Sequence, residues 1–162
     1  MIFNKSRKYD FPPEYCFSNN EILKVVEDTR LFGIILTSDL RWEANTLFVC
    51  TRSMAKMWLL RRMKKMKIDP QIIFDYYMKE IRVLAEQGVA IWNSGLTKGQ
   101  VKDLEKIQKV ALKVILGDEY KTYELACDLF EITPLFEPRF EICKNFAVKL
   151  YQSDRSCDFF HP

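Results

Sequence analysis

The stretch TKGQVKDLEKIQKVALKVILG, residues 97–117, is marked as a helix at both ends and along its length. Thr97 and Gln100 have the spacing of a capping box, in which each side chain bonds the other residue's backbone N–H. Val101, Leu104, Ile107, Ala111, Val114 and Ile115 then recur on one face, and Gly117 stands where a glycine ends a helix. A 3.6-residue period held this long commits the region to α structure. Lys102, Lys106, Lys109 and Lys113 recur at spacings of four, three and four, which sets four ammonium groups in a stripe opposite the apolar face.

Outward from this helix the pattern stays helical in both directions. Upstream, Asn45 or Thr46 can cap a helix carrying Phe48, Met54, Met57, Trp58, Leu59 or Leu60, and Met63, and ending in Arg61-Arg62-Met63-Lys64-Lys65-Met66-Lys67. Asp69-Pro70 is an N-cap with proline at the first helical position. It opens a helix through Ile72, Ile73, Tyr76, Tyr77, Ile81 and Leu84, which Gly88 interrupts before a short buried segment, Val89 to Trp92. Downstream, a shorter helix spans about Thr122 to Phe130. A last helix follows Pro134, with Phe140, Cys143, Phe146, Ala147 and Leu150 as its apolar face.

The first forty-odd residues differ. Phe11-Pro12-Pro13 is a rigid extended breaker, Ser18-Asn19-Asn20 a turn cluster, and Ile22 to Val26 and Thr29 to Leu36 are strand-like. Gly33 falls inside the second run, where a strand glycine signals a bulge, a bend or the close approach of another backbone or ligand. The expected fold is mainly α: a five-helix bundle preceded by a small antiparallel β-hairpin piece. The expected divisions are residues 1–43, 44–152 and a loose tail, 153–162.

Composition bounds the chemistry. The 162 residues suffice for one sizeable core, and a formal charge of +3 conceals an uneven distribution. From Arg52 to Lys113 fourteen Lys or Arg stand against six Asp or Glu, a local +8, while the remainder carries −5. Such a basic middle suits a polyanion, although a solvated helix face has the same look. The five cysteines, Cys16, Cys50, Cys127, Cys143 and Cys157, form no C-x-x-C pair, and the single histidine, His161, is terminal. The pattern argues against zinc and for free thiols in a reducing compartment. No apolar run approaches the length of a membrane span, and the charged N-terminal stretch does not read as a secretory signal, so an intracellular, nuclear or cytoplasmic, place is expected. There are no paired aspartates for a two-metal centre, no nucleophile with a histidine base, and no glycine-rich phosphate loop. Phe32, Trp42, Trp58, Tyr76, Tyr77 and Trp92 could stack on unpaired bases, or simply fill a core.

Leu31-Phe32-Gly33-Ile34-Ile35-Leu36 followed by Ser38-Asp39-Leu40-Arg41-Trp42 resembles the aromatic-Gly-aliphatic element and Asp-x-x-Leu-x-Trp turn of LINE-type, jockey-like non-LTR retrotransposon reverse transcriptases. MWLLRRMKK (57–65), DYYMKEIRVLAEQGVAIWNSGLTKGQ (75–100), LEKIQKVALKVILG (104–117) and PLFEPRFEICKNFAVKL (134–150) resemble that family's later landmarks in the same order, so the likeness covers about Ile2 to Leu150. The resemblance implies a primer-grip hairpin, with Phe32, Gly33 and Ile34 against nucleic acid and Gly33 allowing close backbone approach. It also implies a thumb that holds an RNA–DNA hybrid or duplex by its phosphates through Arg61, Arg62, Lys64, Lys65, Lys67, Lys102, Lys106, Lys109 and Lys113.

The family's catalytic palm carries an aromatic-x-Asp-Asp motif upstream of the grip, and this sequence contains none. Pro138 also stands where the family usually has a basic or polar residue. The expectation is a C-terminal fragment, with Met1 an internal methionine of a longer polyprotein, that does not polymerise alone. Its Mg²⁺ would be held by the missing palm, so no cofactor of its own is expected. The competing expectation is an inert helical protein-interaction module or remnant, self-associating through an exposed β edge.

Overall fold

The computed structural model describes residues 26–152 together with two short strands, β1 (Tyr15–Cys16) and β2 (Ile22–Leu23). The Phe11-Pro12-Pro13 breaker, the Ser18-Asn19-Asn20 turn and the tail 153–162 lie outside the described residues. The chain divides into two units, Met1–Asn45 and Thr46–Pro162. Among the described residues it is mainly helical, with five helices longer than a single turn, one further helix of one turn, and a small antiparallel β piece on the N-terminal side.

In the first unit β1 pairs antiparallel with β2, and β3 (Asp28–Leu31) pairs antiparallel with β4 (Ile34–Thr37), Leu31 opposite Ile34 and Asp28 opposite Thr37. The run Thr29 to Leu36 is therefore not one strand with a glycine inside it. Phe32 (φ 49°) and Gly33 (φ 86°) are the two-residue loop of a hairpin. Two central residues at positive φ match the right-handed twist of the strands, and glycine takes the second place without strain. The sequence misleads because apolar residues continue unbroken on both sides of the turn.

Past β4, Asp39 closes a tight connection. Its Oδ1 accepts from the Arg41 N–H at 3.0 Å and from the Thr37 hydroxyl at 2.8 Å, and these bonds hold its carboxyl below the usual aspartate value. Helix α1 (Glu43–Lys65) starts before Asn45, so neither Asn45 nor Thr46 is its cap. Both are buried in its first turn, and Asn45 Oδ1 accepts the Ile35 N–H at 3.1 Å.

In the second unit α1 buries Val49, Ser53, Met57 and Leu60 at three- and four-residue spacing. Trp58, expected among its apolar residues, is 61% exposed. Lys67, at φ 56°, ends the helix: its N–H bonds the Lys64 carbonyl and the Ile68 N–H reaches back to Met63. Asp69 then caps α2 (Pro70–Tyr76), accepting the Gln71 N–H at 2.7 Å. The same helix continues without a break through a π-helical segment, Tyr77–Arg82, into α3 (Val83–Glu86). Gly88, at φ 62°, separates it from the one-turn α4 (Val89–Trp92), and the Trp92 indole N–H donates to the Gln87 carbonyl across the gap.

The capping box of α5 (Lys98–Leu116) is present in both halves: Gln100 N–H to Thr97 Oγ1 at 3.3 Å, and Thr97 N–H to Gln100 Oε1 at 2.7 Å. Leu104, Ile107, Ala111, Leu112 and Ile115 are fully buried, each large one worth about 1.5–3 kcal/mol. The helix packs on α2, on the π-helical segment and on α6 (Tyr123–Leu129), whose following residue Phe130 stacks on Phe74 at 4.3 Å. Helix α7 (Phe136–Gln152) packs on α4 by its first half. Among the described residues most of its expected apolar face is open: Phe140 is 58% exposed and Phe146 is exposed too, Cys143 is half-buried against Val89, and the buried residue is Arg139.

Candidate nucleic-acid interface

The four α5 lysines all reach solvent, because the residues between them are the ones that fill the core. Two have aromatic partners. Lys109 Nζ lies 4.8 Å from the Tyr123 ring centroid and Lys113 Nζ 5.4 Å from that of Tyr120. A cation over an aromatic face keeps its charge while its stem is held in place. The result is a row of ammonium groups, at four- and three-residue spacing, on a rigid helix.

Behind the stripe runs a polar network that sequence reasoning missed. Tyr77 donates to Gln108 Oε1 at 2.9 Å, and the Gln108 amide donates to the Tyr123 oxygen and to the Thr133 carbonyl, each at 2.9 Å. Tyr123 donates onward to Glu105, whose carboxylate also accepts the Leu135 and Phe136 N–H groups at the start of α7. Burial, and for Tyr123 also the Glu105 carboxylate, push both hydroxyls well above the ordinary tyrosine value. The signal was present: Gln108 sits in the stripe Leu104, Ile107, Ala111, where a polar residue has to be paired.

The α1 cluster separates into two roles. Arg61, Arg62, Lys65 and Lys67 are exposed. Lys64 is half-buried, and its ammonium donates to the Ile115 carbonyl at 2.6 Å, beside Gly117. It closes the C-terminal end of α5 and supports the helix dipole, so it is a structural cation rather than a surface one. Farther up α1, burial, and after it the Asp103 carboxylate, push the Cys50 thiol above the ordinary value. Lys64 at Ile115 and beside Gly117 brings the C-terminal end of α1 to that of α5. The α1 cations and the lysine stripe thus belong to two helices of one unit that meet at their C-terminal ends.

Phe32, Gly33 and Ile34 belong to the other unit. Phe32 is 87% exposed at the hairpin tip, Gly33 completes the turn, and Ile34 is buried. The Ile34 side chain therefore has no surface to present. Of the aromatic candidates, Trp42, Tyr77 and Trp92 are core, Tyr76 is half-buried, and Trp58 lies on the surface.

Arg139 is a buried cation that the sequence gives no cue to. Its guanidinium lies 4.9 Å from the Trp92 ring centroid and donates to Asn93 Oδ1, while its Nε has no partner among the described residues. Burial holds it down to about 10. Cys50, Cys127 and Cys143 are free thiols. Among the described residues no three His, Cys, Asp or Glu side chains gather as a metal site, and no helix is long and apolar enough to cross a membrane. No known family, curated protein or solved structure matches the chain.

Proposed function

We propose that the helical unit grips nucleic acid by its phosphate backbone, without reading sequence, and that the chain corresponds to the primer-grip and thumb part of a LINE-type reverse transcriptase. The observation that carries the binding reading is the exposed row Lys102, Lys106, Lys109 and Lys113 on α5, in the same unit as the exposed Arg61, Arg62 and Lys65 of α1. Cations fixed on helices displace condensed counterions from an RNA–DNA hybrid or duplex, which gives affinity without base contacts. The family part rests on the five ordered sequence landmarks. In this reading polymerisation and its Mg²⁺ belong to a palm carrying the aromatic-x-Asp-Asp motif, and the chain alone does not polymerise.

Fluorescence anisotropy of a labelled RNA–DNA hybrid, titrated from low to physiological salt, tests the binding. The expected outcome is an affinity that falls steeply with salt. Changing Lys102, Lys106, Lys109 and Lys113 together to Gln weakens it and reduces the log–log salt slope by roughly 0.9 for each phosphate that is no longer neutralised. Flat traces from folded protein would reject the reading.

A second reading, a protein-interaction bundle, is favoured by α7, where Phe136, Phe140, Phe146 and Val148 are all exposed. Glu137 and Glu141 lie in its first half and Lys144 and Lys149 in its second. Two copies of α7 packed antiparallel would set opposite charges against each other. Sedimentation then shows a dimer that Glu137→Lys with Glu141→Lys dissociates. A monomer at every concentration removes this reading.

A further inference from the structure

Helix α1 carries one acidic residue, Glu43, against six cations from Arg52 to Lys65. Two of the six are engaged within the fold, Lys56 by Glu80 and Lys64 by the Ile115 carbonyl. Of the other four, Arg61, Arg62 and Lys65 fall with Trp58 at spacings of three, four and seven residues, which places all four side chains on one exposed ridge. No carboxylate among the described residues pairs with these three cations. The Arg62 guanidinium lies 5.4 Å from the Trp58 ring centroid, so one side of the indole is already attended by a cation while the residue as a whole remains 61% exposed. An indole held open to water inside a field of unpaired positive charge is poorly explained by packing. It is well matched to a ligand that combines a flat π face with negative charge.

We infer that the Trp58, Arg61, Arg62 and Lys65 ridge of α1 is a binding site for single-stranded nucleic acid, in which Trp58 stacks on an unpaired base and the three cations hold the phosphates on either side. This deepens the nucleic-acid reading above and rests on it. The occupant follows from the chemistry of the ridge. In a continuous duplex both faces of each base are covered by its neighbours, so a duplex offers an exposed helix ridge only phosphates. A single strand offers base faces as well, and every base has one, so the site is indifferent to sequence. The ridge would therefore engage an unpaired template or displaced strand, while the α5 lysines engage paired backbone.

The molecule carries its own reporter. Of its three tryptophans, Trp42 and Trp92 are buried and Trp58 alone is open. Intrinsic fluorescence of the full chain is titrated with oligo(dT), which does not self-pair, and with the RNA–DNA hybrid, beside Trp58→Leu checked for fold by circular dichroism. The expected result is quenching of the wild-type emission by oligo(dT), absent in Trp58→Leu. That variant binds labelled oligo(dT) roughly tenfold more weakly, within the range for losing one base–aromatic stack, and keeps hybrid binding within about twofold. Trp58→Phe recovers part of the single-strand affinity. Equal losses on oligo(dT) and hybrid, or single-strand binding untouched by Trp58→Leu, would overturn the inference. Quenching by anionic lipid vesicles but not by oligo(dT) would also overturn it. If hybrid binding follows the α5 lysines while oligo(dT) leaves the emission unchanged, the ridge proposal fails and the phosphate-grip reading stands. If folded wild type binds neither ligand, both fall.

Discussion

Lys67 closes α1 in a left-handed conformation, φ 56°, at the position where glycine is preferred, and Glu131 does the same after α6 at φ 52°. In both places the following residue's N–H reaches back five residues, Ile68 to Met63 and Ile132 to Cys127, so the termination is well formed despite the side chain. The strain is recoverable. Lys67→Gly is expected to raise the urea midpoint by the equivalent of about 1 kcal/mol, since glycine adopts this region without a Cβ clash. At Gly33 the sign reverses. Gly33→Val forces a β-branched residue to φ 86° and should unzip the β3–β4 hairpin, read as faster amide exchange at Leu31 and Ile34. Gln108 is the residue with most at stake, because its amide answers Tyr77, Tyr123 and Thr133 together. Gln108→Leu leaves the buried Tyr77 hydroxyl without its partner and takes one bond each from Thr133 and from Tyr123, which keeps Glu105, and should cost about 1–3 kcal/mol in a urea melt.

Among the elements, α5 was legible at both ends and along most of its buried stripe, though not in Leu112 or the paired Gln108. Its cap, its buried stripe and its glycine all lie within a single window, and local and tertiary preferences agree. Thr97→Ala should therefore cost about 1 kcal/mol in thermal unfolding, the ordinary worth of such a cap. Helix α1 was legible in extent but not in orientation. Its covered face includes Asn45, Thr46 and Ser53 while Trp58 and Leu47 are exposed, so apolar spacing could not say which side faces inward. Helix α7 misled for the opposite reason. Its periodic apolar residues are real, yet the contacts seen among the described residues gather in its first half, and the position that enters the core is a cation, Arg139, accommodated by Trp92 and Asn93 from a distant part of the chain. Leu135→Ala, just before α7 and fully buried, should cost about 2–5 kcal/mol, whereas Phe140→Ser should leave monomer stability within about 0.5 kcal/mol. The lysine stripe was visible because surface charge follows helix period. The Lys64 contact was not legible because its partner, the Ile115 carbonyl, is 51 residues away.

At the scale of the whole molecule the buried titratable groups set an alkaline limit. Burial raises the Cys50 and Cys127 thiols above their ordinary 9.0, and raises the Tyr77 and Tyr123 hydroxyls well above 10. A proton held more tightly by the folded than by the unfolded chain stabilises below the unfolded value and is lost as a stabiliser above it. Stability is thus expected to decline from about pH 9 and more steeply past 10. Arg139, held down to about 10 by burial, acts in the opposite sense above that value and moderates the fall. Tyr123→Phe lowers stability at neutral pH, because Gln108 and Glu105 lose a partner, yet flattens the alkaline limb. Urea midpoints measured from pH 7 to 11 on both proteins check the sign.

The π-helical segment Tyr77–Arg82 has a consequence for how the chain tolerates changes of length. Such a segment is an α-helix that has absorbed one additional residue without breaking, so it works as a slack link between two portions whose core-facing residues, Ile73 and Phe74 before it and Ala85 after it, stay in phase. Deleting exposed Lys79 would tighten the link to plain α-helix and leave both portions facing inward. The same deletion at Lys109 would swing every later residue of α5 by about 100° and turn Leu112 and Ile115 away from the core. A shortened sequence of this kind should fold only where the surplus is already stored.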